Sequence, residues 1–300
     1  QYLEEEKQKK RTSLSAVGIW LAPGEKRADA EAALAVAEQI CAGVCFARDL
    51  VNQPGNCKSP EYLARQALQM AEEVGIKATL LERKELEREG FGGVLGVAQG
   101  SSRDPYLIVL QYHGGTKDAR PIALVGKGVT FDSGGISLKP SDKMDEMKMD
   151  MGGAAAVLGA MSAAARMKLP INLVAVVPAV ENMPSGTAIR PGDILTSLSG
   201  KTIEVLNTDA EGRLILADAL TYVGRFNPRV VVDLATLTGA CIVALGSHAS
   251  AVLGNHDGLI RQLLKSGERS GERLWQMPLW DEYSAMVKSD FADLKNVGGR

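Results

Sequence analysis

Three short segments of this 300-residue sequence concentrate side chains that can bind cations or transfer protons. The first, at 125–135, follows an apolar run and carries Lys127 and Asp132 in a loop with four glycines. Glycines let a backbone bend sharply, so this loop alone is typical of any tight turn with a surface lysine and a capping aspartate. A phosphate cradle is the alternative, although the segment does not follow the GxxxxGK[ST] pattern.

The second segment, at 139–153, begins with Lys139 and is rich in carboxylates before an alanine-rich helix. The helix macrodipole favours negative charge at its N-terminus, which is sufficient to explain Asp142, Asp145 and Glu146. Asp150 differs because it lies between two methionines in an apolar setting, where a lone carboxylate needs a partner. We therefore expect Asp150 to have a functional role.

The third segment, NTDAEGRL at 207–214, opens another predicted helix. Asp209 and Glu211 are two residues apart, a spacing that points both side chains the same way in an extended stretch. Arg213 follows within one turn. A helix N-cap with an acidic first turn is the alternative interpretation. The density of functional groups in eight residues favours a site.

Taken together, the segments supply four carboxylates, on Asp132, Asp150, Asp209 and Glu211. Carboxylates gathered at one place repel one another unless cations lie among them. The chain has only three histidines, and sites rich in oxygen ligands suit Mg²⁺, Mn²⁺ or Zn²⁺. Four carboxylates are enough to bridge two ions about 3.5–4 Å apart, as in two-metal hydrolases. If the segments meet in space, they predict such a site.

The segments must be positioned by the elements around them, which alternate between strand and helix patterns. Apolar runs predict strands at 17–21, 78–81, 106–112, 122–125, 173–177 and 230–234. Helical periodicity and capping residues predict helices at 28–51, from Ser59-Pro60 to Gly75, and at 153–167, 214–223 and 259–264. This alternation predicts an α/β sheet with helices on both faces, which binds ligands at the carboxyl ends of its strands.

Composition excludes several classes of protein. Hydrophobic residues make up 45% and charged residues 23% of the chain, which argues against a disordered or fibrous protein. A formal net charge of −2 gives no reason to expect nucleic acid or an anionic membrane as a partner. No uncharged apolar run approaches the roughly 18 residues of a membrane span. Four cysteines do not make a disulfide framework, and we expect Cys41 and Cys45 to be buried as small apolar residues.

The motifs resemble those of the leucine aminopeptidase family, also called leucyl or cytosol aminopeptidases, which are cytoplasmic dinuclear metallopeptidases. NTDAEGRL is similar to the signature octapeptide of the family, and VGKGVTFDSGGISLKP at 125–140 and MKMDMGGAA at 147–155 are similar to its metal-binding stretches. The resemblance implies a three-layer α/β/α catalytic domain with a mixed, mostly parallel central sheet. Residues 1–27 would be the tail of an N-terminal domain with its linker. Residues 28–300 would be the catalytic domain, lacking its C-terminal part.

The resemblance also implies roles for individual residues. Two divalent ions, Zn²⁺ or Mn²⁺ with Mg²⁺ or Co²⁺ as further candidates, would be bound by Lys127, Asp132, Asp150, Asp209 and Glu211. Lys139 would stabilise the oxyanion, and Arg213 would hold a bicarbonate ion that acts as general base. The pocket for the first substrate side chain would be lined by Met147, Thr236 and Gly239.

The expected activity is removal of the N-terminal residue, preferably leucine or another apolar residue, from peptides with a free N-terminus. The family resemblance implies a homohexamer, and we expect neither a membrane nor nucleic acid as a partner. Two alternatives remain: a DNA-binding role, against which the net charge argues, and a metal-dependent phosphoesterase in which residues 126–135 cradle the phosphate.

Overall fold

The computed structural model describes residues 2–3 and 14–299 of the chain. Its helices are α1 (Arg27–Asn52), α2 (Pro60–Val74), α3 (Arg83–Glu89), α4 (Gly92–Ala98), α5 (Gly152–Arg166), α6 (Gly212–Val223), α7 (Ala240–Leu245), α8 (Asp257–Ser270) and α9 (Glu282–Met286), with 3₁₀ helices at Met144–Met149 and Gly224–Phe226. Its strands are β1 (Lys77–Leu81), β2 (Tyr106–His113), β3 (Ile122–Gly126), β4 (Gly128–Asp132), β5 (Asn172–Asn182), β6 (Ile194–Thr196), β7 (Thr202–Glu204), β8 (Val230–Leu234), β9 (Ser250–Val252), β10 (Leu274–Gln276) and β11 (Leu294–Lys295).

The main sheet of the described chain has the strand order β1-β2-β5-β3-β8, and β4 pairs with β5 beyond the end of β3. β2 is antiparallel to both of its neighbours. The pairs β3–β5, β3–β8 and β4–β5 are parallel, so β2 alone runs against the other five strands of this sheet. Two small sheets, β9–β10 and β6–β7–β11, lie outside it. The predicted mixed, mostly parallel sheet is confirmed.

Helices cover both faces of this sheet and enclose two hydrophobic cores. One core packs α1, α2 and α5 against the sheet, and the other packs α4 and α6 against the opposite face. On β2, Ile108 and Leu110 belong to the first core, and Leu107 and Val109 to the second. Each such buried aliphatic side chain contributes about 1.5–3 kcal/mol to folding. The predicted α/β/α layering is confirmed.

The predicted helix signals operate as expected at α2. The Ser59 hydroxyl oxygen accepts a hydrogen bond from the Tyr62 N–H (3.1 Å), Pro60 begins the helix, and Gly75 ends it with φ 70°. The other predicted helices, and every predicted strand after residue 77, also form within a few residues of the expected positions. Local pattern therefore predicts these longer elements, whereas it did not predict the short helices and strands α3, α4, α7, α9, β4, β6, β7, β9, β10 and β11.

Two expectations about the N-terminal part of the described chain are wrong. Residues 17–21 form no strand, and Val17 and Trp20 are 77% and 97% exposed, because none of the strands in the described part of the chain pairs with this apolar stretch. Cys41 and Cys45 are exposed rather than buried. They lie on the helix that crosses α5 through Gly43, whose added Cβ would lie 2.6 Å from the carbonyl oxygen of Gly159. The face of α1 that carries Gly43 packs against α5, and Cys41 and Cys45 lie outside this contact.

Among the described residues, α1 is also the helix that is long and apolar enough to cross a membrane, judged by length and composition alone. Its most apolar window is 6% buried, so apolar side chains such as Val36 and Val44 are exposed. Core helices of soluble proteins and signal sequences meet the same criterion, so the finding assigns no membrane role to α1.

Candidate metal centre

The candidate site lies where β3, β4 and β8 end, at the carboxyl edge expected for a ligand site. Lys127 interrupts the strand between β3 and β4. Its main-chain N–H donates to the Leu234 carbonyl at the end of β8 (2.9 Å), and its own carbonyl accepts from the Ala154 N–H in α5 (2.9 Å). These bonds fix the lysine between the end of one strand and the start of one helix.

The Lys127 side chain is 3% exposed, and its ammonium group contacts three residues. Its Nζ lies 2.7 Å from Asp150 Oδ2 and 2.8 Å from Glu211 Oε1, and it donates to the Thr236 carbonyl at 2.9 Å. Burial lowers the pKa of Lys127, but the charges of Glu211 and Asp150 outweigh burial and hold the pKa above its ordinary value. These contacts favour the charged ammonium form of Lys127 in the metal-free protein.

A second ammonium group lies on the more open side of the site. Lys139 Nζ is 2.9 Å from Asp132 Oδ2 and 2.5 Å from Asp209 Oδ1. Partial burial lowers its pKa, and the hydrogen bonds and charges of Asp209 and Asp132 reverse that effect and raise the pKa. Each lysine thus bridges a different pair of carboxylates.

The four carboxylates predicted from the sequence do converge, and we call them the carboxylate cluster: Asp132, Asp150, Asp209 and Glu211. Oxygens of Asp132, Asp209 and Glu211 lie within 4.8 Å of one another, and Lys127 joins Asp150 to Glu211. Burial raises the pKa of Asp150 to about 6 and that of Glu211 to about 7. Burial likewise raises the pKa of Asp209.

The donor set of this cluster fits divalent cations. Asp150 Oδ2 and Asp209 Oδ1 are buried, and each lies against one lysine ammonium group, at 2.7 Å and 2.5 Å, without a further polar partner among the described residues. When all four carboxylates are ionised they outnumber the two ammonium groups, so negative charge remains uncompensated in a mostly buried space. Hard or borderline cations with oxygen ligands would neutralise that charge and satisfy both oxygens.

Asp132 is oriented by groups that the sequence analysis did not assign to the site. Its Oδ1 accepts from the Asn182 side-chain amide (2.8 Å) and from the Gly134 N–H (2.9 Å). The same amide donates to the Thr208 carbonyl (3.1 Å), so Asn182 connects Asp132 to the third segment. The sequence signal that could have indicated Asn182 is its position as a polar residue at the end of the apolar run of β5, where the structure buries it.

The local conformation of the third segment differs from the prediction. Thr208 and Asp209 form a turn rather than an extended stretch, and Glu211 has helical angles (φ −80°, ψ −35°) at the start of α6. The Asn207 side-chain oxygen accepts from the Asp209 N–H (2.8 Å), which favours the turn. Asp209 and Glu211 still reach one cluster because this turn, rather than strand alternation, brings them together.

Lys58 supports the second segment from outside the site, and nothing in its sequence context indicated this. The residue is fully buried, and its ammonium donates to the carbonyls of Leu50 (3.0 Å) and Val51 (2.9 Å) at the end of α1. It also donates to the Lys148 carbonyl (2.5 Å), two residues before Asp150. Burial lowers the pKa of Lys58 to about 8. One buried cation therefore ties two chain segments together beside the cluster.

The remaining predicted residues surround the cluster or point elsewhere. The Thr236 hydroxyl donates to Asp150 Oδ1 (2.7 Å). Met147 is half-buried in the 3₁₀ helix that precedes Asp150, and Gly239 is exposed at the start of α7. Arg213 is exposed, and its Nη1 donates to the Asn296 carbonyl (2.9 Å) instead of to a carboxylate of the cluster.

The family model and the related proteins that match this chain all belong to one family. Residues 45–300 match the family model described as the catalytic domain of the cytosol aminopeptidase family. The chain is 70% identical over 269 residues to a probable cytosol aminopeptidase of Syntrophotalea carbinolica, covering 90% of this chain and 54% of that protein. A protein of the same name from Geobacter sulfurreducens is 57% identical over 277 residues, covering 92% and 56%. The chain thus spans about half the length of the curated relatives it matches.

The raised pKa values predict how the stability of the metal-free protein depends on pH. Between pH 4.5, the ordinary pKa of the glutamate, and about 7, folded Glu211 keeps a proton that the unfolded chain has lost. Raising the pH through this range therefore lowers the free energy of unfolding. In urea unfolding of chelator-treated protein, the wild type should lose more stability from pH 4.5 to 7 than Glu211→Gln, which does not titrate. Equal losses in both proteins would contradict the assignment.

Close packing between α6 and Lys127 generates a second prediction. A Cβ on Gly212 would lie 2.5 Å from Lys127 Cε, and the lysine cannot shift without breaking its contacts with Asp150 and Glu211. Gly212→Ala should lower the free energy of unfolding by about 1–3 kcal/mol. Gly224→Ala is the matched control, because nothing lies within 4 Å of its added Cβ. Calorimetric unfolding should show no loss for the control; an equally stable Gly212→Ala would refute the packing argument.

Proposed function

Because this chain belongs to the cytosol aminopeptidase family, we propose that it forms the metal-binding part of an aminopeptidase. The enzyme would remove the N-terminal residue from peptides, with a preference for leucine and other apolar residues. The observation that carries the proposal is the mostly buried carboxylate cluster. Lys127 lies between two of its carboxylates and Lys139 between the other two. The names of the curated relatives support a cytosolic location for it.

The proposed ligand set divides the cluster between two ions. Asp132 and Glu211 would bridge both ions, because oxygens of these two residues and of Asp209 already lie within 4.8 Å of one another. Asp209 would complete one site. Lys127 and Asp150, which contact each other at 2.7 Å, would complete the other site. Zn²⁺ and Mn²⁺ are the proposed ions, since both accept carboxylate oxygens.

The two lysines would have different roles. When bound, the ions would hold the free amino group of a peptide, polarise the scissile carbonyl and lower the pKa of the attacking water. Lys127 can contribute its nitrogen only as a neutral amine, so its proton must leave when the site fills. Lys139 lies on the more open side of the cluster, with 21% of its side chain exposed, so it would remain charged and stabilise the negative charge that develops on the substrate carbonyl oxygen.

Arg213 and three pocket residues would complete the site. The contact between Arg213 and the Asn296 carbonyl uses one nitrogen of a guanidinium group that has five N–H donors. The other donors would hold a bicarbonate ion as general base, for which no side chain in the cluster is free. Met147, Thr236 and Gly239 would line the pocket for the first side chain of the substrate. The flexible thioether of Met147 suits apolar side chains of several shapes.

The activity test uses Leu-p-nitroanilide with the full-length protein loaded with Mn²⁺ or Zn²⁺. We expect turnover of this substrate and none of its N-acetylated form, which lacks the free amino group. Asp132→Ala removes a bridging carboxylate and should lower kcat/KM by roughly 10³-fold or more, because bound metal ions contribute several kcal/mol to the barrier.

Asp118→Ala is the control, since Asp118 is an exposed carboxylate between β2 and β3, away from the carboxyl edge of the sheet. It should match the wild type. Absence of turnover by the metal-loaded full-length enzyme would reject the proposal. Faster cleavage of p-nitrophenyl phosphate than of Leu-p-nitroanilide would instead favour a phosphoesterase.

A further inference from the structure

Asn296 lies far along the chain from the carboxylate cluster but contacts the turn that carries part of it. The residue is 3% exposed and directly follows β11. Its neighbours in space are residues 206–210, which we call the ligand turn because it contains Asp209 and leads into Glu211. We propose that Asn296 is a positioning residue that sets the geometry of this turn for metal binding; the inference rests on the proposed metal site.

All hydrogen-bond donors and acceptors of the Asn296 side chain bond to the ligand turn. Its Oδ1 accepts from the main-chain N–H groups of Leu206 (2.9 Å) and Asn207 (3.3 Å). Its Nδ2 donates to the carbonyls of Asn207 (2.7 Å) and Ala210 (3.3 Å). A side-chain amide offers two donors and one oxygen with two lone pairs, so every position is used. The four bonds hold both ends of the turn.

The main chain of Asn296 is itself fixed to the core of the domain. β11 pairs in parallel with β7, and the Asn296 N–H donates to the Glu204 carbonyl (3.0 Å). The Asn296 carbonyl accepts from Arg213 Nη1 (2.9 Å). One residue therefore links the strand before the ligand turn, the turn itself and the arginine that follows it.

This arrangement matters because the carboxylates of the cluster repel one another. Asp209 sits on a turn rather than in a strand or helix, and its carboxylate lies within 4.8 Å of those of Asp132 and Glu211. Without the Asn296 amide, the main-chain groups of the turn lose their partners, and repulsion can move Asp209 away from Asp132 and Glu211. Groups that orient metal ligands in this way typically contribute 10–100-fold to metal affinity.

A buried asparagine elsewhere in the chain gives a matched control. Asn172 is 8% exposed and also secures a loop, accepting from the Gly115 N–H (3.0 Å) and donating to the carbonyls of Thr116 (2.8 Å) and Ala119 (2.9 Å). It begins β5, whereas the cluster lies at the other end of that strand, beside Asn182. Asn172→Ala therefore removes the same kind of interaction without touching the ligand turn.

The experiment titrates full-length wild type, Asn296→Ala and Asn172→Ala with Mn²⁺ and measures free Mn²⁺ by its paramagnetic resonance signal. The wild type should bind two ions. Asn296→Ala should bind at least one of them 10–100-fold more weakly. Asn172→Ala should stay within about twofold of the wild type, even though it unfolds at a lower temperature. Asn296→Ser, which keeps a smaller polar group, serves as a second variant if the alanine variant does not fold, and should also bind more weakly.

Unchanged Mn²⁺ affinity in the Asn296 variants would overturn the inference. Equal weakening in Asn296→Ala and Asn172→Ala would overturn it too, because the effect would then be general loosening of the fold. If the wild type itself binds no Mn²⁺, the proposed metal site is wrong and the inference falls with it. The three outcomes can be told apart, because the unexpected Mn²⁺ affinity belongs to the Asn296 variants in the first, to Asn172→Ala in the second and to the wild type in the third.

Discussion

Mutual repulsion among four mostly buried carboxylates is the constraint on which the rest of the site depends. Desolvation raises the pKa of Asp150 and Glu211, and in the structure two lysine ammonium groups provide the compensating charge. That compensation is incomplete because four carboxylates face two ammonium groups, and Asp150 Oδ2 and Asp209 Oδ1 have only a lysine as polar partner among the described residues. Binding of cations at such a cluster removes the repulsion between its carboxylates and therefore stabilises the folded protein.

Strand and helix positions, hydrogen bonds and core packing hold the carboxylates together against their repulsion. The carboxyl edge of the sheet places Lys127 directly after β3 and Asp132 at the end of β4, and α5 and α6 begin beside them. Bonds from outside the cluster then orient it: Asn182 fixes Asp132, and buried Lys58 holds the segment before Asp150. Hydrophobic cores on both faces of the sheet make this scaffold rigid enough to resist the repulsion.

Sequence reasoning recovered the elements with strong periodicity and the identity of the charged residues, because both follow from local pattern and residue type. It failed where the outcome depends on distant partners. Residues 17–21 have strand-like composition but pair with no strand among residues 14–299, and exposure of Cys41 depends on which face of α1 meets α5. The positioning roles of Lys58 and Asn296 depend on contacts across roughly 90 residues, which no local pattern encodes.

The most direct test is diffraction from crystals of the full-length protein soaked in Mn²⁺ or Zn²⁺, with data collected at the absorption edge of each metal. The account predicts two anomalous peaks about 3.5–4 Å apart within the cluster, and a Lys127 nitrogen that has exchanged its carboxylate partners for a metal ion. Soaked crystals that show no peak, with both lysines still paired to the carboxylates, would contradict it.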